Sequence, residues 1–164
     1  MEAVRQVTVA GGGRAGEGVM ATESHGGGKA SSEDNQDWEV RFDGGFGDVT
    51  GARLGAEEFL TQLARSSPPA TPEYRDDILL VVSELAANAI QYAPGPFGVT
   101  MRKGYDGVHV TVSDTSTTAP APRPFHPGKG GGGGIGWYLI HTLCDQVSVV
   151  VREDGKDVHV FLPW

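Results

Sequence analysis

A chain of 164 residues with 38% apolar side chains can bury one core of ordinary size and still has length for a tail. Its 21 acidic residues outnumber 13 basic ones for a formal net charge of -8, and no dense Lys/Arg run occurs, which excludes the usual electrostatic footprint of a nucleic-acid binder. Cys144 is the only cysteine, so no internal disulfide can form, and this usage suits a reducing compartment.

The start, Met1-Glu2-Ala3-Val4-Arg5, lacks the charged and apolar regions of a signal peptide, and no stretch approaches the length of a membrane span, so the chain reads as cytoplasmic with no membrane partner. Residues 11–36 are dominated by Gly, Ala, Ser, Glu and Asp and cannot bury enough surface to offset the entropy of ordering; residues 1–36 are expected to form a disordered acidic tail. Within it, Gly11-Gly12-Gly13-Arg14-Ala15-Gly16 matches the G-x-G-x-x-G pattern for a dinucleotide pyrophosphate. That pattern has force only where it opens a helix inside a βαβ unit, and here it runs into Ser24-His25-Gly26-Gly27-Gly28 with no helical periodicity, so it is set aside.

The folded domain is expected over residues 37–164. Trp38 to Phe42 alternates apolar and polar residues like a half-buried strand. From Asp48 to Arg65, Val49, Ala52, Ala56, Phe59, Leu60 and Leu63 follow helical spacing, which Gly51 and Gly55 weaken. A second helix is predicted over Glu73–Ala93, with Thr71 as N-cap, Pro72 in the first turn and Pro94-Gly95 as the stop. Strands at Phe97–Arg102 and Gly107–Ser113 form a hairpin, Ile135–Cys144 a short helix, and Val147–Val151 and Val158–Leu162 a second hairpin turning at Asp154-Gly155. Strands and helices are grouped rather than strictly alternating. The fold class that follows is α/β in the α+β sense: a two-layer sandwich with a mostly antiparallel sheet covered on one face by about three helices.

Three places carry chemistry. In the second helix, Asp77, Val81, Glu84, Asn88 and Gln91 share one stripe, while Ile78, Val82, Leu85, Ala86 and Ala89 supply the packing surface. A carboxylate and a carboxamide four residues apart in an otherwise apolar helix are expected to face a cleft or a partner, because burying an unpaired carboxylate is costly; a solvent-facing pair with no role is the competing reading. At the end of the second strand of the first hairpin, Asp114 continues the inward parity of Val108, Val110 and Val112 and needs a hydrogen-bond donor; an adenine amino group would serve, and a turn cap is the competing use. Gly128 to Gly136 then runs straight into a helix, where glycine backbone and unpaired N–H groups suit a phosphate chain, with Lys129, Gly132, Gly133, Gly134, Ile135 and Gly136 as candidates. The Pro- and Ala-rich stretch before it is expected to be a flexible lid over about 115–131.

Glu84-x-x-x-Asn88, Asp114 at a strand end and a glycine-rich loop opening a helix together resemble the nucleotide-binding boxes of the Bergerat (GHKL, HATPase) fold shared by gyrase B, histidine kinases and the MutL proteins. Over residues 38–164 the pattern is most similar to the small anti-sigma factor serine kinases of the RsbW and SpoIIAB group and their actinobacterial relatives. The resemblance implies that ATP and Mg²⁺ are the cofactors, that Asn88 helps coordinate the metal, that Asp114 bonds adenine, that Gly134 and Gly136 line the phosphates and that Glu84 is the general base. It further implies serine/threonine kinase activity on a STAS-type anti-anti-sigma protein, which competes with a sigma factor for this protein, and no direct nucleic-acid contact. A homodimer is left open.

The Asp box departs from the family: where glycines usually follow the aspartate, this chain has Thr115-Ser116-Thr117-Thr118. Backbone that could approach the base and ribose closely is thereby lost. The alternative reading is therefore a catalytically inert module of the same fold that sequesters a protein partner with weak or no nucleotide binding. A clamp driven by hydrolysis would need a transducer domain, for which the sequence up to Trp164 leaves no room. His109, His141 and His159 have no paired spacing of metal ligands and are read as surface or packing residues.

Overall fold

The computed structural model describes residues 5–8, 37–121 and 134–164. Among these described residues nine elements follow in order: β1 (Arg5–Thr8), β2 (Asp37–Phe42), α1 (Asp48–Ser66), α2 (Pro72–Tyr92), β3 (Phe97–Lys103), β4 (Gly107–Asp114), α3 (Ile135–Leu143), β5 (Gln146–Arg152) and β6 (Gly155–Pro163). The strands form one antiparallel sheet in the order β1-β5-β6-β4-β3-β2. Two hairpins, β3-β4 and β5-β6, thus meet along β4 and β6 at the centre of the sheet.

Period-two alternation divides the sheet into two faces. Val99, Met101, Val108, Val110, Val112, Val147, Val149, Val158, Val160 and Leu162 are buried and join the helices in a single core. The opposite face holds polar and aromatic cross-strand neighbours: Thr111 Oγ1 lies 2.9 Å from His159 Nδ1, and the rings of His109 and Phe161 stand 4.6 Å apart. This is the expected α+β sandwich, a five-strand open sheet over β2–β6 with three helices, extended by the short β1.

Two local features explain departures from simple propensity. Gly51 and Gly55 are poor helix formers within α1, but a Cβ on Gly55 would overlap the Trp38 indole, and one on Gly51 would press on the Phe42 ring at 3.1 Å. The glycines let α1 settle close over β2, and packing outweighs a propensity cost of about 1 kcal/mol each. At the far end Trp164 folds back, its Nε1 donating to the Ser67 carbonyl at 2.6 Å, and closes the core beyond the C-terminus of α1.

Two expectations are corrected, that residues 5–8 belong to the tail and that Val81 lies on the polar stripe. Residues 5–8, assigned to the tail, form β1 on the outer edge of β5, where backbone pairing satisfies N–H and C=O groups that an open edge leaves unpaired. The rest of the tail, 1–4 and 9–36, including the glycine pattern, and residues 122–131 of the lid lie outside the described residues. Thr71 occupies the N-cap of α2 as expected, in extended conformation and without a side-chain capping hydrogen bond. Val81 is fully buried rather than part of the polar stripe, because it lies roughly 60° around the helix from Glu84, toward the face of Ile78 and Leu85.

Candidate functional site

One cavity of about 570 Å³ opens between α2, the start of α3 and the inner face of β4 and β6. Glu84, Asn88 and Gln91 come to it from successive turns of α2. Gly134, Ile135, Gly136 and Trp137 come from the beginning of α3, and Val112, Asp114, Lys156 and Val158 from the sheet. Ser116 and residues 118–121 border it on the side where the chain leaves β4.

The helical end combines an acid, an amide and an open helix terminus. Glu84 and Asn88 are half-buried, while their neighbours Leu85 and Ala89 anchor the helix in the core. Gly136 is buried against Glu84, and a Cβ there would overlap the Glu84 Oε2 atom. Only glycine allows the carboxylate and the first turn of α3 to come so close. Gly134 caps α3 with φ of 139°, a left-handed backbone that glycine adopts without strain, and no side chain among the described residues caps the helix. The first-turn N–H groups of α3 therefore have no intrahelical acceptor and lie beside the cavity with positive partial charge.

The sheet end is differently organised. Asp114 is buried, as its strand parity predicts. The donor it meets within the protein is Lys156, its direct cross-strand partner on β6, with Nζ 2.8 Å from Oδ1 and only 6% and 5% of the two side chains exposed. Ser116 N–H donates to the same Oδ1 at 2.8 Å, so the turn-capping use of Asp114 is also realised. Neither bond uses Oδ2.

Away from the cavity mouth, Trp137 and His141 stack edge-on one helical turn apart, with ring centroids separated by 5.0 Å. Trp137 Nε1 and His141 Nε2 are buried without a partner among the described residues. Burial lowers the His141 pKa and favours the neutral ring. At the end of α3, burial pushes the Cys144 thiol up to about 12, with Asp145 and Asp77 adding to the effect. Cys144 is thus a packing residue rather than a nucleophile. Asp77, expected on the cleft stripe, lies near that cysteine; its own pKa is raised by burial, then by Asp76 and Glu73.

Glu84, Asn88, Asp114, Gly134, Ile135 and Gly136, chosen from three separate stretches of sequence, line one cavity. Lys129, Gly132 and Gly133 lie outside the described residues. The sequence reading missed Lys156 because the last strand was started at Val158. Carrying the inward parity of Val158, Val160 and Leu162 back by two would have placed a lysine on the core side of β6.

The two-layer sandwich thus places this cavity between a glutamate/asparagine helix, a buried strand-end aspartate and an open helix N-terminus. The sequence model described as histidine kinase-like ATPase domain matches residues 48–162. The chain belongs to that family, one of ATP-binding domains, and the matched stretch contains every described site residue from Glu84 to Lys156. A search of curated proteins found no match.

The cavity residues fit a magnesium nucleotide. The first turn of α3, free of a side-chain cap and of a Cβ at Gly136, can take phosphate oxygens, and Asn88 can offer its carboxamide oxygen to a metal. Among the described residues no cluster of three or more His, Cys, Asp or Glu side chains could hold an ion. No helix among the described residues is long and apolar enough to cross a membrane.

Proposed function

We propose that this protein is an ATP-dependent regulator of the anti-sigma factor type: a serine/threonine kinase that phosphorylates a STAS-type anti-anti-sigma protein and sequesters a sigma factor when that antagonist is phosphorylated. The observation that carries this reading is the seat of Glu84. Its carboxylate abuts Gly136 at the opening of α3, with Asn88 one turn farther along the same helix face, inside the same cavity.

In this reading Glu84 accepts the proton of the acceptor serine hydroxyl as that oxygen attacks phosphorus. Asn88 orients the metal, and the α3 N–H groups hold phosphate oxygens against the helix dipole. Bound Mg-ATP supplies the phosphoryl group.

The test is phosphoryl transfer from labelled ATP to a STAS-domain acceptor by wild type and Glu84→Ala, together with complex formation by both. A kinase loses turnover in the variant and retains its complexes. Unchanged turnover removes Glu84 from the chemistry. A second reading, an inert protein-binding module, draws support from Asp114, whose Oδ1 is already engaged by Lys156 and Ser116, and from Thr115–Thr118 where the family has glycines. It predicts no saturable Mg-ATP binding by calorimetry up to millimolar nucleotide. The kinase reading predicts binding that Asn88→Ala abolishes.

A further inference from the structure

Lys156 is a buried cation in the wall of the cavity, and none of the expected nucleotide contacts uses it. A lysine this deep in a protein requires an anionic partner, and Asp114 provides it at 2.8 Å across adjacent strands. The pair leaves hydrogen-bonding capacity on both sides. Asp114 Oδ1 takes Lys156 Nζ and Ser116 N–H, which fixes the carboxylate orientation, and neither bond involves Oδ2. Nζ carries three N–H donors, of which the ion pair uses one. The next inward pair on the same two strands, Val112 and Val158, lines the same cavity and offers apolar surface for a flat ring.

We propose that Asp114 and Lys156 together form the base-reading edge of this site, with Lys156 as a specificity-determining residue. Asp114 Oδ2 accepts from the exocyclic amino group of adenine, and Lys156 Nζ donates to the ring nitrogen N1 beside it. Adenine presents a donor and an acceptor side by side on that edge. An aspartate by itself offers only acceptors and reads half of the pattern. The lysine also neutralises the carboxylate, so that the base end does not repel an anionic nucleotide. The inference rests on the nucleotide-binding reading above and goes beyond it by naming the group that reads N1.

The experiment is calorimetric titration of the full chain with Mg-ATP and with Mg-1-deaza-ATP, which keeps the amino group and lacks the N1 acceptor. Wild type is expected to bind the deaza nucleotide at least about tenfold more weakly, the usual scale for losing a hydrogen bond to a charged group. Lys156→Met is expected to bind both alike, and Lys156→Arg, which keeps a cationic donor, to restore discrimination. Equal affinity of wild type for the two nucleotides overturns the role of Lys156 while leaving the nucleotide site standing. Absence of saturable binding of either by wild type overturns the nucleotide reading and this inference with it. The wild-type comparison can overturn the inference even where Lys156→Met fails to fold, and Lys156→Ala then serves in its place to assign the contact.

Discussion

The two ends of the cavity solve the problem of burying charge in opposite ways. At the sheet end, Asp114 and Lys156 neutralise each other across neighbouring strands before any ligand arrives. At the helical end, Glu84 and Asn88 face the first turn of α3, whose N–H groups have no intrahelical partner and no side-chain cap. The sheet brings opposite charges together because cross-strand neighbours sit about 5 Å apart. Two polar residues on one helix stripe cannot pair in the same way, and helix termini leave donors open. On the proposed function this contrast is a division of labour: the sheet end supplies shape and selectivity, while the helical end supplies groups for chemistry.

The largest effect is expected at Glu84, the proposed general base. Glu84→Gln keeps the volume of the side chain and removes its basicity, and it is expected to slow phosphoryl transfer by about 10²–10⁴-fold, with nucleotide binding by calorimetry retained. If turnover survives, the helical end holds ligand without acting on it.

Breaking the sheet end should cost stability rather than chemistry. Lys156→Met leaves Asp114 buried without its cation and is expected to lower unfolding free energy by about 3–5 kcal/mol in urea titration. The double variant Asp114→Val/Lys156→Met should recover most of that loss. Failure to recover would mean that the pair contributes more than mutual neutralisation.

A smaller effect is expected at the contact between the helices. Gly136→Ala drives a Cβ into Glu84 Oε2 and should reduce both melting temperature and nucleotide affinity, with destabilisation of about 1–3 kcal/mol. Combining it with Glu84→Ala removes the overlapping atom and should restore the melting temperature without restoring transfer, which separates the steric role of Glu84 from its chemical one.

The smallest effects concern pH. His141 has a folded pKa below its ordinary 6.5, so the stability linked to its neutral ring is present above that value and is lost as pH falls through the lowered folded pKa. Asp77 behaves oppositely: its folded pKa lies above 3.8, and the associated stability is present below 3.8 and lost as pH rises through the folded value. Asp77→Asn should therefore raise the melting temperature slightly at neutral pH, with the gain disappearing in strong acid. His141→Phe should flatten the acid side of the stability profile below 6.5.

Much of the fold could be read from pattern. The helices and strands appear within a residue or a few of their predicted bounds, because periods of 3.6 and 2 in Phe59-Leu60-Leu63, Ile78-Val82-Leu85 and Val108-Val110-Val112 report which side of each element meets the core. The gathering of Glu84, Asn88, Asp114, Gly134 and Gly136 around one cavity agrees with the order of motifs along the chain. Pattern was weakest where long-range pairing decided the outcome. β1 exists as a strand against the edge of β5, and four residues of backbone have no local signal that names such a partner. Gly55 in α1 looked like a defect until Trp38 filled the space above it.

The sequence by itself determined the class of the fold, the inward parity of Asp114 and the glycine-led start of α3, since these depend on local periodicity and backbone freedom. Tertiary structure alone decided the partner of that aspartate. Asp114 and Lys156 stand 42 positions apart in the chain and become neighbours only through the β4-β6 register. A charge pair across strands is a property of that register, which no single stretch of sequence contains.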